Sequence, residues 1–371
     1  MQIVHLSSAH PRFDTRIFHK MCISLAANGH TVTLVVADSK GDEVVRGINI
    51  LDVGASRGRL DRILRAPRRL LEKALSVNSD LYHLHDPELI PIGLKLRRLG
   101  KRVIFDSHED VPKQMLGKPY LNKPLLWLVS SALRVYELWA CRQFNGIIAA
   151  TPFIRDKFLK VNSRTIDINN FPLLDELSNK ILWKDKRAEV CYVGGISAMR
   201  GIKEVLVAIK QVKSTVRLNL CGEFSEPEFE MAMKSSLGWA RVNERGFLDR
   251  TAVSEVLERS IAGVVTLHPA INYLDALPVK MFEYMAAGIP VIVSNFPLWL
   301  EIIQGAQCGL CVDPLKPSEI AEAIDFLLTN PNEAQRMGQN GRRAVLEQYN
   351  WSIEESKLFA FYDLLLNRVM E

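Results

Sequence analysis

The stretch Asn272–Val293, NYLDALPVKMFEYMAAGIPVIV, decides how the chain is read. Pro278 suits the first position of a helix, because its missing N–H would have had no intrahelical acceptor there. Leu277 before it offers no side-chain cap, so the amides of Val279, Lys280 and Met281 open the helix without an evident acceptor. Those N–H groups, the positive end of the helix dipole and the Lys280 ammonium together make an anion site. Glu283 falls on roughly the same face as Lys280, one turn deeper. Asp275 stands on the loop that enters the helix. The Gly288-Ile-Pro-Val run follows at once as a buried strand, which sets the helix start at a sheet edge. Such a trio can read hydroxyls, phosphate and hydroxyls in turn. The plain alternative is a surface ion pair, Lys280–Glu283, with Asp275 a solvated turn residue.

Outward from this stretch the chain alternates strand and helix. Strands are expected at 189–195, 216–222, 240–246, 263–268, 289–294 and 309–313, with helices at 201–213, 226–237, 251–259, 278–287, 317–329 and 331–348. The first half repeats the scheme. Strands are expected at 3–8, 31–37, 81–85, 102–108 and 146–151, with a helix over 15–27 that Asn28-Gly29 stops. Continuous apolar strands between helices predict parallel sheets covered on both faces. Periodicity fades over 160–187. The expected division is 1–172, 173–350 and a terminal helix 351–371 that crosses back to the first domain. Ligands of two such doubly wound domains are expected at the carboxyl ends of the strands.

A chain of 371 residues fits two domains, and 48% hydrophobic with 24% charged residues excludes disorder and a disulfide scaffold. Net charge is +5, but residues 1–171 carry 26 basic and 16 acidic side chains while the rest carry 21 and 26. Only the first half is therefore expected to meet an anionic partner or surface. No run is long and apolar enough to span a bilayer, and the amino terminus has neither the basic nor the apolar region of a signal peptide, so a cytoplasmic location is expected. The six cysteines are scattered, which suits reduced thiols. Cys308 and Cys311 have CxxC spacing but no neighbouring ligand pair, leaving structural thiols or a redox or metal role.

Segment 272–293 resembles the signature of the retaining GT-B glycosyltransferases of family 4, the group 1 glycosyltransferases. Their paired acids stand here as Asp275 and Glu283, followed by EYMAAGIPV; the first acid is Asp, one methylene shorter than the family's Glu. The resemblance implies a GT-B fold, two facing doubly wound Rossmann-like parallel-sheet domains with a deep cleft. It implies that Glu283 holds the ribose of a nucleotide–sugar and Asp275 contacts the transferred sugar. YVGGISAMRGIKEVL (192–206) resembles the glycine loop that opens the family's second domain. The family's first cation is replaced by Gly195, which leaves Arg200, with Lys280, as the expected diphosphate partners; Gly194 and Gly195 let the backbone approach the donor. Leu277, Val279 and Phe247 complete the expected donor site, the base being held largely by backbone near Arg245–Leu248.

In the first half, HPRFDTRIFHK (9–20 less its first residue) resembles the D-x-R-I opening of many group 1 members. Asp14 can cap the following helix, and Arg16 is either a phosphate or acceptor contact or an ordinary first-turn residue. His83 and His85 share a strand face; H-x-H could hold a metal, but no third ligand is placed by the sequence. His85 and Asp86 are expected to face the cleft. In FDSHED, His108 resembles the family residue that lies against the donor sugar, with Glu109 beside it as an acceptor candidate.

Residues 57–73, RGRLDRILRAPRRLLEK, hold seven Arg/Lys against two acids, with leucines and isoleucine at helical spacing and Pro67 as a kink. Such a helix reads as a membrane-surface element. Segment 124–142 adds Trp127, Tyr136 and Trp139. For both, simple coverage of the sheet is the alternative. The expected function is retaining transfer of a sugar, from a UDP-sugar rather than a GDP-sugar, to a glycan or lipid-linked acceptor in bacterial O-antigen, capsule or lipopolysaccharide synthesis. Peripheral membrane contact would run through 57–73, with no metal, no further cofactor and no nucleic acid. A nucleotide-sugar epimerase and a non-catalytic sugar-nucleotide or glycan-binding protein remain the other classes.

Overall fold

A computed structural model describes residues 1–117, 122–176 and 181–366. It divides into two compact units, one of Met1–Asn170 with the stretch from Ser352 onward, the other of Phe171–Trp351. The first unit is built on eight strands: β1 (Gln2–Leu6), β2 (Thr31–Val36), β3 (Glu43–Val45), β4 (Ile48–Asp52), β5 (Leu81–Leu84), β6 (Arg102–Ser107), β7 (Gly146–Ala149) and β8 (Thr165–Asp167). Their order is β3-β4-β2-β1-β5-β6-β7-β8, parallel except for the β3–β4 hairpin. The second unit has six parallel strands: β9 (Glu189–Val193), β10 (Arg217–Cys221), β11 (Val242–Gly246), β12 (Ala262–Val265), β13 (Val291–Ser294) and β14 (Gly309–Val312), in the order β11-β10-β9-β12-β13-β14.

The apolar strand runs explain the layering. Val190, Tyr192, Leu218 and Leu220 join one buried cluster, while Cys191, Cys221, Val265 and Val293 join another. Alternate residues thus reach opposite faces of one sheet, and both faces are covered by helices. Both sheets are parallel and doubly wound, as the alternation predicts.

The local differences have local causes. β3, β4 and β8 were not expected; β3 and β4 are short and joined by Arg46 and Gly47, both at positive φ (51° and 78°), the conformation of a tight hairpin turn. The expected helix 15–27 opens instead with a π-helical stretch, Thr15–Cys22, before turning α-helical at Ile23–Ala27. The basic segment is two helices, Arg59–Leu64 and Ala66–Val77, broken at Arg65 rather than kinked at Pro67, which sits in the first turn of the second helix where a missing N–H costs nothing. Pro278 is the cap, with ψ 120°, and its helix is Val279–Ala286. The described part of the expected terminal helix is Trp351–Leu366; residues 367–371 of that expectation lie outside the described residues.

The Trp351–Leu366 helix is seated in the first unit by three contacts. Gly146 lacks the Cβ that would stand 2.6 Å from the Phe361 ring. The Tyr362 hydroxyl lies 2.7 Å from His83 Nδ1. Buried Glu354 accepts the Asn169 backbone N–H at 2.7 Å. Truncating Glu354 leaves that buried N–H without its acceptor, at a cost of about 1–3 kcal/mol. Glu354→Ala should lower the denaturation midpoint of the first unit and leave that of the second unchanged, read by urea unfolding with limited proteolysis of each unit.

Candidate donor and acceptor sites

In the second unit, parallel strands deliver their loops to one edge, and the Gly194–Gly201 turn and the Val279–Ala286 helix meet there. Gly222, at φ 138°, passes so close to Gly194 that a Cβ would stand 2.0 Å from the Gly194 oxygen. Gly201, at φ 72°, packs equally close to the Thr266 carbonyl. A Cβ on Gly194 itself would lie 3.0 Å from Lys280 Nζ and 3.8 Å from Arg200 Nη1, and one on Gly195 would lie 3.7 Å from Arg200 Cζ. The glycine loop, Arg200 and Lys280 therefore form one group, the grouping that the family resemblance implied.

Lys280 is the unusual member. Its stem is half-buried, but its Nζ is sealed from solvent, 3.8 Å from the centre of the Tyr192 ring, and has no hydrogen-bond partner among the described residues. Burial, and then the nearby Arg200 guanidinium, hold its pKa well below the ordinary lysine value, against the pull of Glu283. The Thr266 hydroxyl is a second buried group without a partner here. Of the amides expected to open the helix unbonded, Met281 N–H is not available, since it donates to the Pro278 carbonyl at 3.0 Å. Glu283 is 7% exposed and accepts from Arg250 Nη1 at 2.7 Å, so one cation already partners it. Asp275 and Leu277 are half-buried on the entering loop, which Trp299 Nε1 fixes by donating to the Ala276 carbonyl at 2.7 Å; Val279 opens the helix. Phe247 is 78% exposed and lies in none of these contacts. Tyr192, Arg250 and Thr266 escaped the sequence reading, because an aromatic, an arginine and a threonine at these spacings carry no motif.

In the first unit, Asp106 ends β6 with no exposure. Arg16 forks onto it, Nε to Oδ2 at 3.0 Å and Nη2 to Oδ1 at 2.8 Å, and sends Nη1 to the Ile168 carbonyl at 2.6 Å. Of the two readings left open for Arg16, the structure shows the internal one: all three guanidinium nitrogens are bonded inside the unit. Asp86 is likewise engaged: its Oδ2 accepts the Ser8 N–H at 2.6 Å and the Ser7 hydroxyl at 2.9 Å, tying the loop after β1 to the end of β5. The Glu109 carboxylate takes the Gln114 amide. His85 is 2% exposed, and His5, which pairs with His83 across β1 and β5, sets its Nδ1 2.8 Å from His85 Nε2. Asp106 and His108 lie 3.3 and 3.4 Å from His85 Nδ1, so His85 alone of the H-x-H pair meets them as a candidate ligand group. Burial, and then the neighbouring His85, hold His5 and His83 well below the ordinary histidine pKa; His85 is lowered by burial too. Asp106 runs the other way: burial would raise it, but Arg16 and His108 hold it well below the carboxylate range.

His85, Asp86, Asp106, His108 and Glu109 line a cavity of about 910 Å³ at the carboxyl ends of β5 and β6. Arg59, Arg62 and Ile63 form one wall, and Met115 and Leu133 another. The Arg59–Leu64 helix buries none of its residues, and Leu60 is 75% exposed. Helix Lys123–Cys141 buries Leu126, Ser130, Glu137, Ala140 and Cys141 but leaves Trp127, Leu128, Val135, Tyr136 and Trp139 in solvent. It covers the unit with one face only. Cys308 and Cys311 are free thiols and belong to no candidate ligand group among the described residues.

The donor-side group makes a pH-dependent prediction. A diphosphate reaching Lys280 favours its charged form and raises its pKa, so between the depressed free value and the raised bound value each binding event takes up a proton. Calorimetry of a nucleoside diphosphate in buffers of different ionisation heat should show that uptake at neutral to alkaline pH. Lys280→Met should abolish it; an unchanged uptake in that variant would discard the assignment.

Two family models cover most of the chain. Residues 15–168 match Glycosyltransferase Family 4, and residues 175–344 match Glycosyl transferases group 1. Glycogen synthase of Mycobacterium tuberculosis is 22% identical across 91% of this chain and 87% of its own. Among solved structures, sucrose-phosphate synthase from Thermosynechococcus elongatus aligns with a TM-score of 0.79 at 19% identity, covering 99% of each chain. Anabaena HepE in complex with UDP-glucose aligns at 0.73 and 13% identity, covering 98% of this chain and 100% of its own. The fold is GT-B. With a family 4 glycosyltransferase sequence in its first unit and a group 1 sequence in its second, the chain belongs to the group 1 glycosyltransferases.

Proposed function

We propose that the protein transfers a sugar, with retention, from a nucleotide diphosphate to a lipid-linked or glycan acceptor. The observation that carries the reading is Lys280 Nζ, an amine buried without a partner beside Arg200 and against the glycine loop. Burial disfavours its charge until an anion arrives to balance it, so the position calls for an anion. Arg200 and Lys280 would neutralise the departing diphosphate, which is work a metal does in other transferases, so no metal is proposed for this step. Glu283, positioned by Arg250, would receive the ribose hydroxyls and Asp275 the transferring sugar; in the first unit, the family resemblance gives His108 a sugar contact. The complex of HepE with UDP-glucose supports a UDP-sugar as donor.

The acceptor reading rests on the first unit. Its open cavity argues for transfer over epimerisation, which needs no second substrate. The wall of Arg59 and Arg62 fits an anionic group, and the exposed Leu60 and Leu64 next to it fit a lipid surface. No helix among the described residues is long and apolar enough to cross a membrane, so contact would be peripheral. The setting proposed is bacterial surface-polysaccharide synthesis on the cytoplasmic membrane face. A soluble phosphorylated sugar is the second reading, favoured by the same arginines.

Lys280→Ala and Glu283→Ala should each lower donor turnover by roughly 10²-fold or more; near-native rates in either would end the assignment, and conversion of donor alone would establish an epimerase. On the acceptor side, the protein should co-sediment with vesicles containing anionic lipid, losing about 1 kcal/mol of binding for each of Arg57, Arg59 and Arg65 replaced by Ser. Equal recovery with neutral vesicles, or none with either, would favour the soluble acceptor.

A further inference from the structure

His85 Nδ1, Asp106 Oδ2 and His108 Nε2 form a nearly equilateral triangle. Its edges are 3.3 Å from His85 to Asp106, 3.4 Å from His85 to His108 and 3.1 Å from His108 to Asp106. Bonds of about 2.0–2.1 Å to a tetrahedral zinc ion give ligand separations of about 3.3–3.4 Å. Good N–H···O bonds are shorter, about 2.9–3.0 Å, and the His85–His108 edge joins two nitrogens that face the same oxygen. Such atoms surround a point rather than pair off. The neighbouring trio His5, His83 and His85 does pair off, since His5 Nδ1 sits 2.8 Å from His85 Nε2.

The surroundings match what metal ligands need from their outer partners. Arg16 fixes the Asp106 carboxylate through both oxygens, and His5 fixes the far nitrogen of His85. A fourth position opens into the cavity that all three residues line.

The unpartnered His83 Nε2 is a second, independent observation. When His85 Nδ1–H donates to Asp106, His85 Nε2 accepts from His5 Nδ1–H. His5 Nε2 then accepts from the Tyr362 hydroxyl at 3.5 Å, and the Tyr362 oxygen accepts from His83 Nδ1–H. The chain ends on a bare His83 Nε2, fully buried, with no partner, 3.9 Å from the Asp106 carboxylate. With a cation on His85 Nδ1, every tautomer reverses: His85 Nε2–H donates to His5, His5 to Tyr362, Tyr362 to His83, and His83 Nε2 carries a hydrogen facing the carboxylate. The proton count of the three imidazoles and the phenol is unchanged; the proton leaving His85 Nδ1 is matched by the one gained at His83 Nε2.

We propose that His85, Asp106 and His108 bind one divalent transition-metal ion of the zinc type. Two imidazoles and one carboxylate suit Zn²⁺ or Co²⁺ over Mg²⁺ or Ca²⁺. Bound there, the ion takes the Nε2 lone pair of His108, so it blocks transfer rather than assisting it; that consequence rests on the function proposed above, whereas binding does not.

The test is a Co²⁺ titration of the full chain. The expected result is saturation at one equivalent with the intense visible bands of a tetrahedral ion, displaced by Zn²⁺. His108→Ala, at the cavity rim with 17% of its side chain exposed, should lose those bands while keeping the wild-type melting temperature, as should His85→Gln. His10→Ala, whose ring lies 4.7 Å from that of His108, should keep them. Absent bands, bands that survive His108→Ala, or bands lost in Cys311→Ser would overturn the site. Metal binding that leaves sugar transfer untouched would uphold the site and overturn the role given to His108.

Discussion

A carboxylate with no solvent exposure governs the functional edge of the first unit. An isolated charge at the end of β6 would be costly to bury, and Asp106 is tolerable only because Arg16 meets it with a planar fork. That pairing dictates what surrounds it. The chain from Asp14 must bring Arg16 inward, and Asp14 caps the stretch by accepting the Arg16 and Ile17 amides. The third donor of Arg16 holds the Ile168 carbonyl, beyond β8. Beside this pair His5 and His85 partner one another, and Tyr362 on the last described helix joins their group through His83.

The second unit handles a buried charge in the opposite way. Lys280 is shut away with no carboxylate on its Nζ, while Glu283, one turn on, is held by Arg250. Close packing of Gly194, Gly201 and Gly222 makes the hollow in which this is possible. One unit has thus paired its buried Asp106 and Arg16 internally, and the other has left a position that an incoming anion would complete. The overall partition of charge points elsewhere: the acidic second half carries the anion-ready group, so placement within a few ångströms outweighs the net charge of a domain.

Much of the basic excess of the first half lies outward. The break at Arg65 separates a short helix with no buried residue from a longer one that packs on the sheet through Leu70, Leu71 and Ala74. An unbroken helix over 57–73 would have had to turn one face to the core along its full length; the break frees Leu60, Ile63 and Leu64 from that demand. Together with the aromatic face of Lys123–Cys141, this leaves apolar side chains in solvent beside the arginines that wall the cavity.

The sequence by itself determined the parallel, doubly wound character of both sheets, because buried strands must be apolar throughout and the crossovers must be helical. The grouping of Gly194, Arg200 and Lys280 was legible only through the resemblance of 192–206 and 272–293 to a known family; that the two segments leave adjacent strands, β9 and β12, is a tertiary fact. Tertiary structure decided what local rules do not reach. Whether Arg16 faces a ligand or Asp106, whether Lys280 has a partner, and which residues complete the H-x-H pair depend on atoms far apart in the chain: Arg16 and Asp106 are 90 residues apart, and His83 and Tyr362 are 279. Electrostatic partnership is set by distance in space and by burial, and neither is encoded in spacing along a strand or helix.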